Sequence, residues 1–273
     1  MTAPAVETTG PDAPTGKQVM VVGNIGTGKT TQFPTLKGRK FLYVFDSNCL
    51  PSIKAAGIDY KAFIPDYMDL DLSARTLKDP SKQKAIDASS VKGLNPQTYI
   101  EWERDFEARN QDKFFDGYDW VGLDSFTTFS DCVLDRIMFL NGRLGKHPEM
   151  ADQTALMTVT KNVYRVLSGM NGFFSTAHTE TYRDDLTGKV YGRIMMTGRN
   201  RIRIPLLLAN IFATFVDVSK DGVQYKAKTV PDRDDPVVRT AIQGLAPVVD
   251  ITIDFSKPLE GQGIGRILSG KVK

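Results

Sequence analysis

The sequence predicts an α/β fold: a mostly parallel sheet flanked by helices, with an antiparallel hairpin late in the chain. Three observations carry this. Apolar runs at 18–22, 40–45, 120–123 and 173–177 read as strands buried on both faces. Segments of helical spacing separate them, and strands alternating with helices imply a parallel sheet with right-handed crossovers. Asp221-Gly222 between the apolar stretches 211–218 and 223–229 is a strong two-residue hairpin signal.

The run Gln18-Val19-Met20-Val21-Val22 leads directly into glycines, and residues 29–36 then read as a short helix with Pro34 inside or ending it. A second strand over 40–45 ends at Asp46, and a third falls near 60–64. Residues 96–110 place Tyr99, Trp102 and Phe106 at i, i+3, i+7, a helical stripe whose simplest role is core packing. The strand ending at Asp124 precedes a helix over 128–140. Leu156, Val159, Val163, Val166 and Leu167 mark a helical face within 153–170. Residues 248–255 offer one further edge segment.

As domains, the sequence reads as a disordered N-terminal tail over 1–16, one domain over 17–255, and a flexible C-terminal tail over 256–273. Inside the domain, 76–97 form a polar insertion and 181–203 a mobile basic loop.

Composition narrows the function. The chain has 273 residues, 41% hydrophobic and 25% charged, enough for a real core, and its net charge of +3 names no partner. Two cysteines, Cys49 and Cys132, exclude a disulfide framework and a cysteine-rich zinc site; both read as ordinary small apolar positions. No apolar run approaches the roughly 18–20 residues that span a bilayer. The N-terminus lacks the pattern of a secretory signal. A cytoplasmic protein without a membrane partner is expected.

The strongest signal is Gly23-Asn24-Ile25-Gly26-Thr27-Gly28-Lys29-Thr30, a G-x-x-x-x-G-K-[ST] phosphate loop, or P-loop. Its glycines let the backbone turn tightly, so that successive N–H groups of residues 23–31, through Thr31, face one phosphate-binding concavity. A helix starting near Lys29 would add the positive end of its dipole. Lys29 would reach the β- and γ-phosphates, and the Thr30 hydroxyl would ligate Mg²⁺. The expected ligand is ATP with Mg²⁺; no Asn-Lys-x-Asp pattern argues for guanine.

Such a loop needs an acid at the end of a neighbouring strand to hold the cation. Asp124 is the best candidate, its bland alternative being a helix cap. Asp46 lies on the same edge if both strands are parallel, as a water activator or metal support. Asn48, Glu101 and Glu103 are further candidates for orienting water. His178, after the strand 173–177, would sense the γ-phosphate or serve as a structural histidine. His147 reads as a surface residue.

Arg183, Lys189, Arg193, Arg199, Arg201 and Arg203, interleaved with Tyr182 and Tyr191, form a basic segment. Arginines beside aromatics suit single-stranded DNA. They also suit arginine fingers acting on a neighbour, or a solvated loop.

In the order of these motifs the chain resembles the RecA-like P-loop ATPases of bacteriophages, particularly the phage ATP-binding proteins linked to single-strand annealing and recombination. The resemblance rests on residues 21–31, on Phe45-Asp46, on Tyr118-Asp119-Trp120-Val121-Gly122-Leu123-Asp124-Ser125-Phe126-Thr127, on Ser175-Thr176-Ala177-His178 and on the basic segment to Arg199. It covers roughly 17–230. It implies a RecA-like core, ATP-Mg²⁺ at Lys29, Thr30 and Asp124, and a polar sensor at His178. It also implies single-stranded DNA facing Arg183, Arg193, Arg199, Arg201 and Arg203, assembly into a ring or filament, and the cytoplasm of an infected bacterium. One departure is that Asp46-Ser47-Asn48 stands where such recombinases often carry a catalytic glutamate. Three functions therefore compete: a DNA recombination or annealing ATPase, a non-hydrolysing ATP-dependent accessory, and a small-molecule or nucleotide kinase with 183–203 as its lid.

Overall fold

The computed structural model describes residues 16–54, 56–65, 95–185, 188–220 and 222–271. Strand β1 (Gln18–Gly23) lies near the middle of the sheet. Around it run β2 (Lys40–Val44), β3 (Asp59–Ala62), β4 (Trp120–Asp124), β5 (Phe173–Arg183), β6 (Val190–Ile194), β7 (Asn210–Ser219), β8 (Gly222–Lys228) and β9 (Val248–Asp250). The order is β3-β2-β4-β5-β1-β7-β8-β9, with β6 paired to β5 alone. The strands from β3 to β7 are parallel; β6, β8 and β9 add antiparallel pairs. This is an α/β fold, a mostly parallel sheet flanked by helices with a late antiparallel hairpin.

Alternation along the strands explains both layers. Met20 and Val22 join a core with Trp102 of α2 (Thr98–Gln111), Phe126 and Phe129 of α3 (Phe126–Leu140), and Leu156 and Tyr164 of α4 (Met150–Ser168). Val19 and Val21 face the other way. They pack with Phe33, with Ile53 of the short α1 (Leu50–Ile53), and with Ile264 and Ile267 of α6 (Gly263–Leu268). Continuous apolar strands are the expected signature of a sheet covered on both faces. The stripe of Tyr99, Trp102 and Phe106 is core: Trp102 is buried and stacks on Phe106 at 5.3 Å.

One expectation is sharpened and two need correction. The short helix expected after the P-loop is present as a 3₁₀ helix (Thr30–Thr35), with Pro34 inside it. Proline has no N–H to donate and its ring crowds the preceding turn, so a longer α-helix is blocked. The strand at 173–177 runs on to Arg183 and pairs antiparallel with β6, so much of the basic segment is a hairpin followed by the short helix α5 (Asn200–Arg203), not a mobile loop. Residues 256–273 are not a loose tail throughout. Ile264 and Ile267 are fully buried, and Gly265 packs so closely that a Cβ there would stand 1.9 Å from the Thr35 carbonyl oxygen. The late hairpin closes with Ser219 opposite Gly222; Asp221 itself lies outside the described residues. So do residues 1–15 of the expected tail over 1–16 and residues 76–94 of the expected insertion over 76–97.

Among the described residues no helix is long and apolar enough to cross a membrane.

Candidate nucleotide and cation site

Parallel strands deliver their C-terminal loops to one edge, and ligands of open α/β sheets bind there. β1 ends at Gly23 opposite His178, and β2 ends at Val44 opposite Asp124. The P-loop, Asp46, Asp124 and His178 therefore meet at one edge, lining a cavity of about 620 Å³.

The loop after β1 is shaped by its glycines. Gly28 has φ +77°, and a Cβ there would come 3.0 Å from the Tyr225 ring. At Gly23 a Cβ would stand 2.6 Å from the Thr214 carbonyl oxygen, so only glycine lets β7 approach the loop this closely. Thr27 pins the turn, donating to the Asn24 carbonyl at 2.9 Å and sharing a 2.8 Å hydrogen bond with Thr214. Among the described residues, no backbone N–H from Asn24 to Lys29 closes a hydrogen bond of normal geometry to a backbone carbonyl. A run of unpaired amides around a concavity is an anion cradle. With only a short 3₁₀ helix behind it, the helix dipole adds less here than a full α-helix would.

Lys29 is 7% exposed and donates from Nζ to the carbonyls of Gly23 at 3.0 Å and Asn24 at 2.7 Å. Burial holds its pKa below the ordinary lysine value, against the pull of Asp124, Cys49 and Asp46. His178 Nδ1 lies 3.4 Å from the same Nζ. An ammonium can only donate, so Nδ1 accepts and the ring proton sits on Nε2. Burial first, and the Lys29 charge second, lower the His178 pKa. His178 is therefore a neutral group on the P-loop lysine. It lies within β5, not at its end.

Asp124 ends β4 and is 2% exposed. Its Oδ1 accepts from the Thr176 hydroxyl of β5. Its Oδ2 is buried with no hydrogen-bond partner. The Thr30 hydroxyl and the Cys49 thiol lie close enough to ease its charge without closing a bond of normal geometry. Burial pushes its pKa up, and nearby Asp46 adds to the rise. A buried, half-satisfied carboxylate is costly, and a cation on Oδ2 would relieve it. The capping alternative fails on geometry, because the side chain of Ser125 caps α3 by accepting from Thr128 N–H. Asp46 is held by the Thr128 hydroxyl and faces the same corner.

Sequence reasoning missed Cys49. It is not merely a small apolar filler: its Sγ is 3.4 Å from the Thr30 hydroxyl, in the corner shared with Asp46 and Asp124. The Asp46 to Cys49 spacing across a single turn was the available signal. Also missed were Thr176 and Thr128, which position the two carboxylates, and the apolar side chains of Tyr225, Ile251, Ile253 and Phe255 that line the same cavity. Of the water-orienting candidates, Asn48 lines the cavity. Glu101 lies on a different surface with Lys61, and Glu103 accepts from Tyr99 on the same helix.

The arginines divide. Arg193 bonds Glu180 at 2.8 Å and lies over the Tyr182 ring at 3.9 Å, and Arg201 is 3.8 Å from Glu180. Arg183, Arg199 and Arg203 are exposed.

Neither a protein-family model nor a curated protein matches the chain. Among solved structures it is similar to flagellar accessory protein FlaH from Methanocaldococcus jannaschii, at 8% identity and a TM-score of 0.39, over 89% of this chain and 88% of that one.

Proposed function

We propose that this chain binds ATP with Mg²⁺ in the cavity at the C-terminal edge of β1, β2, β4 and β5, and that it is an ATPase of DNA recombination or single-strand annealing. The observation that carries the reading is the unpaired amide run from Asn24 to Lys29 beside a buried carboxylate oxygen that lacks a partner. One side wants an anion and the other a cation, and a metal-bound polyphosphate supplies both.

Each residue then has a task. The amides of 24–29 hold phosphate oxygens. Lys29 exchanges the Gly23 and Asn24 carbonyls for the terminal phosphates, which remain within reach of its flexible stem. The Thr30 hydroxyl and Asp124 hold Mg²⁺, with Thr176 fixing the carboxylate plane. Mg²⁺ would neutralise charge on the phosphate oxygens and polarise them. Neutral His178 keeps the lysine aimed. Asp46, with its carboxylate oriented by Thr128, is the acid placed to orient an attacking water, since Asp46 and Asp124 are the two carboxylates lining the cavity among the described residues. Arg183, Arg199 and Arg203 would meet the DNA backbone, while Arg193 and Arg201 hold the hairpin through Glu180.

The kinase reading loses ground because the supposed lid is tied down as a β-hairpin. A non-hydrolysing accessory gains some from Asp46, whose carboxylate already accepts from Thr128. Phosphate release from ATP with and without single-stranded DNA decides between them. Turnover stimulated by DNA and lost in Asp46→Asn supports the proposal, and binding without turnover supports the accessory.

A further inference from the structure

We propose that the cation corner also accepts a thiophilic divalent ion, Zn²⁺ or Cd²⁺, held by Asp46, Cys49 and Asp124. The proposal rests on the same corner that the nucleotide reading assigns to Mg²⁺, but it requires no nucleotide.

The donor set is the first argument. One carboxylate oxygen from each aspartate and the Cys49 sulfur all lie within 4.8 Å of one another. Tetrahedral Zn²⁺ with bonds of about 2.3 Å to sulfur and about 2.0–2.2 Å to oxygen spaces its ligands roughly 3.3–3.6 Å apart, within reach of small side-chain adjustments. The second argument goes beyond the proximity of the three donors: Asp124 Oδ2 is buried and lacks a hydrogen-bond partner, and the Asp124 carboxylate lies close to the Thr30 hydroxyl and the Cys49 thiol. The third is the outer support. Thr176 holds the remaining oxygen of Asp124 and Thr128 holds Asp46, as hydroxyls commonly orient metal-binding carboxylates.

The sulfur distinguishes this site from a plain Mg²⁺ site. Mg²⁺ is a hard ion that takes oxygen ligands and leaves a thiol aside. Zn²⁺ and Cd²⁺ favour thiolate over water, so the thiol biases the corner towards them. Asp46 precedes and Cys49 ends the single turn Ser47–Cys49, and each brings a ligand atom near Asp124 at the end of β4. On coordination the Cys49 proton passes to solvent and the metal–sulfur bond forms, with no change in oxidation state. The bound ion then occupies the place of Mg²⁺ next to Thr30, and the corner acts as a soft-metal stop on the site.

The test is a Cd²⁺ titration of the full chain without nucleotide, monitored by the ultraviolet thiolate-to-cadmium charge-transfer band. The chain holds two cysteines, so the source of the band can be assigned by substitution. One equivalent of Cd²⁺ should develop the band in the wild-type protein and in Cys132→Ser. Cys49→Ser and Cys49→Ala should abolish it, and Asp124→Asn should weaken Cd²⁺ binding at least about tenfold. Millimolar Mg²⁺ should compete. Lys29→Ala should keep the band, which separates this proposal from the fate of the nucleotide reading. No band in the wild type, a band that survives both Cys49 substitutions, or one indifferent to Asp124→Asn would overturn it.

Discussion

The Thr176 hydroxyl on β5 donates to one oxygen of Asp124 on the neighbouring β4, leaving the other oxygen buried and unpaired. The pairing of these two strands therefore sets the direction in which Asp124 offers its charge. Thr176→Val keeps the shape and removes the donor. A hydrogen bond to a charged group contributes about 1.5–3 kcal/mol, so cation affinity should fall roughly tenfold or more. Titration calorimetry with Mn²⁺ in the presence of a non-hydrolysable ATP analogue measures this. An unchanged affinity would reduce Thr176 to packing.

His178 gives a pH prediction. Its pKa is lowered in the fold, first by burial and then by Lys29. Below the unfolded value of 6.5 the unfolded chain takes a proton that the folded chain resists, so this contribution to stability is full above that value and lost as pH falls. In His178→Gln that part of the slope should vanish. The difference between the two melting profiles across that window isolates His178, because every other titrating group is shared. Parallel profiles would mean that the imidazole is not held neutral.

The C-terminal helix should behave as part of the core. Ile267 is fully buried against the face that carries Phe33 and Phe174. Ile267→Ala should cost about 2–5 kcal/mol in urea unfolding. A cost below about 0.5 kcal/mol, the range of exposed positions, would restore the loose-tail picture.

The proposed DNA contacts should divide the arginines. Replacing Arg183, Arg199 and Arg203 together by alanine should reduce the log–log salt slope for single-stranded DNA by about 2, since each phosphate contact contributes about 0.7. Arg193→Ala should instead loosen the β5–β6 hairpin, visible as faster amide exchange at Glu180 and Tyr182. An unchanged slope in the triple variant removes the basic segment as the DNA surface.

Much of the fold was legible because buried parallel strands announce themselves. Val19 to Val22 and Trp120 to Leu123 are apolar without alternation, and the P-loop spacing dictates a tight, amide-lined turn at the end of β1. Asp124 could be singled out since an acid ending such a strand is out of place unless used. Other features depend on contacts distant in sequence. Cys49 looks like any small apolar residue until β4 brings Asp124 beside it. Thr176 has no local pattern that marks it as a partner of Asp124. The extension of β5 past His178 depends on pairing with β6, so its polar residues read as a loop. α6 is six residues long, and its glycines look loose until Gly265 is seen packed on Thr35. Pro34 was visible, but local pattern alone left open whether it ended an α-helix or shaped a 3₁₀ turn.

At the centre of the proposed function, backbone amides of 24–29 and the Lys29 amine hold a polyphosphate beside a cation on Thr30 and Asp124. The most direct test is equilibrium binding of a fluorescent ATP analogue, with and without Mg²⁺, to the wild type, Lys29→Ala and Asp124→Asn. The expected result is saturable binding that Mg²⁺ strengthens, a loss of about a hundredfold in Lys29→Ala (about 2.7 kcal/mol), and loss of the Mg²⁺ effect alone in Asp124→Asn, with all three proteins folded. Equal binding by the wild type and Lys29→Ala, or a Mg²⁺ effect that survives Asp124→Asn, would contradict it.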